Sequence, residues 1–164
     1  MTENTSHKTV AITKIGLVAA LYVAVTLIIA PFSYGAVQLR LAEGFNHLAV
    51  FNKRNIIALT IGCAIANLAS PLGIIDIVFG SLGTLVMTSL SYFVTKRLKS
   101  VPVKLALSTV ICTLMTFSVA IELHVINKLP FWPTYATVAL GEFLSMALGA
   151  VVIYLVQKRI DFTN

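Results

Sequence analysis

Charge is scarce in this chain: 11% of its 164 residues are Asp, Glu, Lys or Arg, and only six of them are acidic. A water-soluble domain carries roughly 25%, so a large solvated surface is excluded. Catalytic signatures are also missing. There is no G-x-x-x-x-G-K-[ST] loop, no G-x-S-x-G elbow, no H-E-x-x-H and no G-x-G-x-x-G turn. ATP hydrolysis by this chain is therefore not expected, and neither is a bound cofactor. The two cysteines, Cys63 and Cys112, stand in separate apolar stretches without C-x-x-C or His spacing, and read as buried small side chains rather than metal ligands. A carboxylate pair such as Asp76 and Glu142 would need acid–base partners that the sequence does not supply, so the chain is not read as an enzyme.

What the sequence has in abundance is apolar length. Hydrophobic residues make up 58% of it, and its mean hydropathy is +0.93. A membrane-spanning helix takes about 20 apolar residues, so the chain holds about six if the loops are short. The expected fold is all-α, a single integral membrane domain over residues 1–164, with a cytosolic tail at 1–9 and spans near 10–30, 36–52, 55–70, 74–95, 103–126 and 134–157. Pro31 ends the first span, and Pro71 with Gly73 ends the third. The first apolar run is too long for a secretory signal, whose core has about 7–15 residues. No internal repeat is evident.

Threading these spans gathers Lys8, Lys14, Lys53, Arg54, Lys96, Arg97, Lys99, Lys104, Lys158 and Arg159 at one side of the bilayer. The positive-inside rule makes that side cytoplasmic, with both termini there. The net charge of +6 is thus a topology signal, and nucleic acid is not expected as a partner. Trp132 and Tyr135 suit an aromatic belt at the other interface.

The second span differs from the rest. Gln38, Arg40, Glu43, Asn46 and His47 alternate with aliphatic residues, giving a polar stripe inside the membrane. Asp76, Glu122 and Glu142 also fall in predicted spans, and a carboxylate there is costly enough to be a functional candidate by default. At about 1.5 Å per residue, Asp76 and Glu122 lie within about 6 Å of the outer boundary and Glu43 and Glu142 about 9–12 Å below it. With Asn67, Gln38, Arg40 and Tyr34 they outline a polar pocket open to the outside. Two plainer readings stand beside it: Arg40 pairs locally with Glu43, and Glu122 reaches the headgroups. His47 and His124 fall at opposite ends of their spans, so each is expected to cap a helix or meet headgroups rather than share a metal. Gly16, Ala20 and Ala24 form a small-residue stripe on the first helix, either a partner surface or an internal seam. Gly80, Ser81 and Gly83 allow close packing in the fourth span.

The run Pro31-Phe32-Ser33-Tyr34-Gly35-Ala36-Val37-Gln38-Leu39-Arg40-Leu41-Ala42-Glu43 resembles the QueT family. So do Asn67 with Gly73, Asp76 and Gly80, and the sequence Gly141-Glu142-Phe143. QueT proteins are the queuosine-precursor substrate-binding (S) components of energy-coupling factor (ECF) transporters, and the resemblance runs from about Ile12 to Lys158. It implies a membrane-embedded binding protein that captures a micronutrient outside and topples in the bilayer to deliver it. Energy would come from a separate module of two cytosolic ATPases and a transmembrane coupling protein. Gly16, Ala20 and Ala24 would be the docking stripe for that coupling protein. For a 7-deazaguanine ligand such as 7-aminomethyl-7-deazaguanine or queuine, Glu142 or Asp76 would accept the base edge and Glu43 would position it with Arg40. Asn67 and Gln38 would face its carbonyl, and Tyr34 or Trp132 would stack or close the lid.

Other classes remain beside this one. An S component for another vitamin or purine-like micronutrient would use the same pocket chemistry. A non-transporting structural subunit would use its carboxylates for interhelical pairing and fill the pocket with side chains. An autonomous proton-coupled carrier ranks last for want of an inverted repeat.

Overall fold

The computed structural model describes residues 2–29 and 40–162, the side chains of 2–8 excepted. Tyr34 and Gln38 lie outside the described residues. All regular structure among the described residues is helical. Helix α1 is Thr2–Ile28, α2 Arg54–Ala66, α3 Ile74–Thr95, α4 Val101–Met115, α5 Phe117–Asn127 and α6 Phe131–Val156. Two 3-10 segments interleave with them, Leu41–Val50 and Asn67–Ala69.

Among the described residues four paths are long and apolar enough to cross a membrane: Thr9–Ile28, Ile74–Thr95, Val101–Asn127 and Phe131–Val156. The third is α4 and α5 in series, broken at Thr116. No proline sits at the break; Thr116 Oγ1 bonds the Thr113 carbonyl at 2.7 Å and Ser118 Oγ the Met115 carbonyl at 3.1 Å. Hydroxyls that compete for backbone carbonyls in this way bend helices.

Over their described residues, the remaining two expected spans are shorter than a bilayer. Arg54–Ala69 is a short apolar helix, about 24 Å at helical rise against a core of about 30 Å. The region 36–52 is described from Arg40 onward as a 3-10 helix of ten residues, about 20 Å long at about 2.0 Å per residue. It is nonetheless the axis of the bundle. It packs most extensively on α6 and touches α1, α2, α3 and α4 as well, and eight of its residues are buried.

The 3-10 period explains why. Side chains three apart eclipse one another, so Arg40, Glu43 and Asn46 stand in one row, Gly44 and His47 in a second, and Ala42, Phe45 and Leu48 in a third. The Gly44 row meets α6: a Cβ on Gly44 would lie 2.8 Å from Gly149 Cα, closer than atoms pack, so only paired glycines permit this approach. The Leu48 row joins Val50, Leu105 and Ile153 in an apolar cluster. The Arg40 row is left facing the polar interior.

Polarity runs inside out relative to a soluble protein. Ile74, Val78, Phe79, Leu82, Val86, Leu90, Phe93 and Val94 all lie exposed along α3. Its inner stripe is Asp76, Gly80, Thr84, Thr88, Ser91 and Thr95. The hydroxyls of Thr88 and Thr95 bond the carbonyls of Thr84 and Ser91 at 2.5 and 2.7 Å, so these polar side chains cost little in lipid. Against α1, Gly62 of α2 lies so close that a Cβ there would stand 3.0 Å from Tyr22 Cβ. On α1 itself Ala19 and Tyr22 face that contact, while Gly16, Ala20 and Ala24 lie exposed on the other side. The stripe is not an internal seam.

One end of the bundle is basic. Phe51, Lys99, Val101, Lys104, Gln157 and Phe162 line one depression there, and the Phe51 and Phe162 rings lie 5.7 Å apart. Lys96 and Lys158 cover the rings of Phe93 and Tyr154 at 5.0 and 4.6 Å. Glu43, Asp76 and Glu142 lie toward the opposite end.

Candidate functional site

The site begins with the turn before α3. Gly73 adopts φ +62°, a left-handed conformation suited to glycine, and it starts α3 so that Asp76 falls in the first turn. There the helix N-terminus favours a carboxylate. Asn67 braces this junction by donating its Nδ2 to the Asp76 carbonyl at 2.9 Å. The space it needs exists because residue 80 is glycine: a Cβ there would collide with the Asn67 amide.

Arg40, at the mouth of the 3-10 segment, reaches across to Asp76, with Nη2 to Oδ2 at 3.5 Å. The alternative of a local Arg40–Glu43 pair is not what forms. Glu43 is held instead by neutral donors, Tyr22 Oη–H at 2.6 Å and Asn46 Nδ2–H at 2.5 Å, and Asn46 also touches Met87 Sδ at 3.7 Å. Glu43 is thus a carboxylate fixed in orientation, with Arg40 beside it.

Arg40, Glu43, Gly80, Gly83, Thr84, Met87, Thr116, Val119, Val138 and Glu142 line one cleft between the 3-10 segment, α3, the α4–α5 break and α6. Its free volume is about 20 Å³, well below the about 300–1,000 Å³ usual for small-molecule sites. In the form described its walls stand close, leaving room for about one water. Glu142 is buried on the cleft wall, and its Oε1 has no hydrogen-bond partner among the described residues.

Of the residues expected from sequence, Arg40, Glu43, Asp76 and Glu142 converge. Asn67 lies behind them as a brace. Trp132 does not join: it is 75% exposed, packed edge-on to Phe131 at 5.1 Å in an aromatic cluster with Tyr135. Neither of the other two polar groups behaves as a headgroup contact. Glu122 is 1% exposed, and His47 is fully enclosed, with Nε2 2.9 Å from the Met146 carbonyl, because the 3-10 row aims it at α6. His124 does serve a helix end, its Nδ1 lying 2.6 Å from the Leu129 carbonyl. Cys63 and Cys112 are buried and free.

Sequence reasoning misses Tyr22, Thr84, Met87 and Thr116. Tyr22 carries a signal, a phenol in the middle of an otherwise aliphatic span. The others carry none, since small hydroxyls and methionine are ordinary in such helices.

Residues 12–158 match the QueT transporter family. A protein of Lactococcus lactis subsp. cremoris (strain MG1363), described as "Queuosine precursor transporter QueT", is 37% identical over 166 residues, covering 96% of this chain and 98% of its own length. No solved structure matches the chain.

Proposed function

Because this chain belongs to the QueT transporter family, a family of transporters and not of enzymes, we propose that it is the substrate-binding subunit of an ECF importer for a queuosine precursor of the 7-deazaguanine type. The observation that carries this reading is Glu142, a buried carboxylate on the cleft wall with an unpartnered oxygen. A guanine-type edge offers N1–H and a 2-amino group side by side, which one carboxylate accepts with its two oxygens. Leaving that carboxylate unmet in lipid is costly, so a ligand with two adjacent donors is the natural complement.

Glu43 and Arg40 complete the polar wall. Glu43 is locked by Tyr22 and Asn46, and Arg40 is steered by Asp76 toward the carbonyl side of the base. In this reading Gln38 would face the carbonyl side of the base and Tyr34 would stack on it. The ligand enters from the side opposite the basic end, which puts the termini and Lys53, Arg54, Lys96, Arg97 and Lys99 in the cytoplasm. Gly16, Ala20 and Ala24 present a flat face on α1 with nothing within 4 Å of a Cβ at Gly16. A helix of the coupling protein can approach closely there.

The closeness of the cleft walls favours a second reading, a structural membrane subunit without a ligand. The unpartnered carboxylates oppose it, since a purely structural core would pair or replace them. Uptake of a labelled 7-deazaguanine decides between the two. Cells holding an ECF module should accumulate it when this chain is expressed, and cells lacking the module should not. Equal accumulation in both, or none in either, would contradict the proposal.

A further inference from the structure

The depression at the basic end of the bundle holds about 220 Å³ of free volume, against about 20 Å³ in the cleft. Three parts of the chain meet around it: Phe51 just past the 3-10 segment, Val101 and Lys104 at the start of α4, and Gln157 to Phe162 just past α6. Its lining has two characters. Phe51, Val101 and Phe162 pack against the apolar cluster of Leu48, Val50, Leu105 and Ile153, so this part is anchored in the core. Lys99 and Lys104 supply the other part, and neither takes part in an ion pair among the described residues.

The charge at this spot is unmatched. Lys96 and Lys158, at the same end, lie over the rings of Phe93 and Tyr154 and do not line the depression. Asp161 is the one carboxylate in the lining among the described residues, and it is not free. Two cations against one engaged carboxylate leave the depression positive. The backbone adds to this. Helix α4 starts at Val101, after an extended Ser100 whose side chain makes no capping bond. Lys104 N–H already bonds the Ser100 carbonyl at 3.1 Å, whereas the N–H groups of Val101 and Val103, on either side of Pro102, have no partner within the helix. Such a start attracts an anion.

Lipid lies alongside. Phe93 and Val94 at the end of α3 and Val103 at the start of α4 are exposed apolar side chains flanking the depression. A ligand that suits the whole lining therefore carries a phosphate for the lysines and an apolar portion for Phe51 and Phe162. We infer that the depression binds the headgroup of an anionic phospholipid, with its phosphate between Lys99 and Lys104 at the start of α4 and its glycerol end against the two phenylalanine rings. The acyl chains stay in the bilayer beside α3 and α4. A zwitterionic headgroup fits less well, because its cation would meet two lysines and find Asp161 engaged. The site is separate from the cleft and does not depend on what the cleft binds.

The test uses the purified full chain in an uncharged detergent, with dioleoylphosphatidylglycerol, dioleoylphosphatidylcholine and inorganic phosphate as probes. Binding is read by native mass spectrometry and by thermal unfolding. Phosphatidylglycerol should persist as a single retained adduct and raise the melting temperature, and phosphatidylcholine should bind at least about tenfold more weakly. A lysine near an anionic headgroup is worth about fivefold in affinity. Lys99→Gln with Lys104→Gln should therefore weaken phosphatidylglycerol about twentyfold and leave phosphatidylcholine unchanged. Lys99→Gln alone, at an exposed position, should cost about fivefold and serves if the double variant fails to fold. Lys53→Gln with Arg54→Gln removes the same charge just after Phe51 but outside the lining, and should change affinity less than about twofold. Equal affinity for the two lipids, or an equal loss in the two neutralised pairs, overturns the inference. So does inorganic phosphate raising the melting temperature as much as phosphatidylglycerol does, which would make the ligand a soluble anion instead.

Discussion

Arg40 and Asp76 join two elements that are distant in sequence, the mouth of the buried 3-10 segment and the first turn of α3, through a 3.5 Å ion pair that is almost wholly removed from solvent. The pair is a clamp on the cleft's geometry rather than a source of net stability, because desolvating both charges offsets most of their attraction. Breaking it from one side is a different matter. Arg40→Met or Asp76→Asn alone should lower thermal stability in detergent by the equivalent of about 3 kcal/mol or more. The double variant should lose less than the sum of the two. Additive losses would show that the two side chains act independently.

Glu43 depends on its two neutral donors. Tyr22→Phe removes one hydrogen bond to a carboxylate, worth about 1.5–3 kcal/mol, without changing the ring that packs against Gly62. Ligand affinity should fall about tenfold, and the melting temperature should fall by the equivalent of that lost hydrogen bond. A large stability loss with unchanged affinity would place Tyr22 in the packing and not in the site.

The close approach of the 3-10 segment to α6 rests on two glycines. Gly44→Ala puts a methyl 2.8 Å from Gly149 Cα and 3.2 Å from the Ser145 carbonyl, both backbone atoms that cannot swing away. The expected cost is about 1–3 kcal/mol, read as a lower melting temperature in the same detergent. An unchanged melting temperature would mean that the helices separate freely there.

Much of this architecture is legible in the amino-acid sequence. Pro71, Gly73 and the basic clusters mark the ends of α2 and α3, and the span expected at 74–95 is α3, Ile74–Thr95. The second span departs from expectation because its polar stripe suits a helical period of 3.6, whereas the period of 3.0 that forms gathers Arg40, Glu43 and Asn46 into one row. Hydropathy cannot distinguish the two periods over ten residues. In the site, Glu43, Asp76 and Glu142 stand out because carboxylates are rare in lipid. Their partners are less evident: Arg40 pairs with Asp76, thirty-six residues away, over Glu43, three away, a choice made by tertiary packing. Trp132 falls outside the site because aromatic type suggests stacking on a base, while its position beside Pro133 at the start of α6 keeps it at the rim.

Trp132 therefore supplies a negative control. Trp132→Ala should leave ligand affinity within about twofold, since a side chain at a solvent- or lipid-exposed rim contributes little to a buried site. Glu142→Ala should abolish measurable binding. Loss of affinity in Trp132→Ala would put the residue back over the cleft.

The proposed docking on a coupling protein is tested separately from ligand binding. Ala20→Leu, in the middle of the exposed stripe on α1, should leave calorimetric affinity unchanged and eliminate both uptake and co-purification with the ECF module, because a bulky side chain keeps the helices apart. Retained uptake would show that this face does not dock.

The central claim is that the buried carboxylates of one cleft recognise a deazaguanine, and calorimetry on the purified wild-type chain tests it most directly. Titration with 7-aminomethyl-7-deazaguanine, guanine and riboflavin should give tight, weak and no binding, in that order. Absence of binding by the deazaguanine, or tighter binding of riboflavin, would contradict the account.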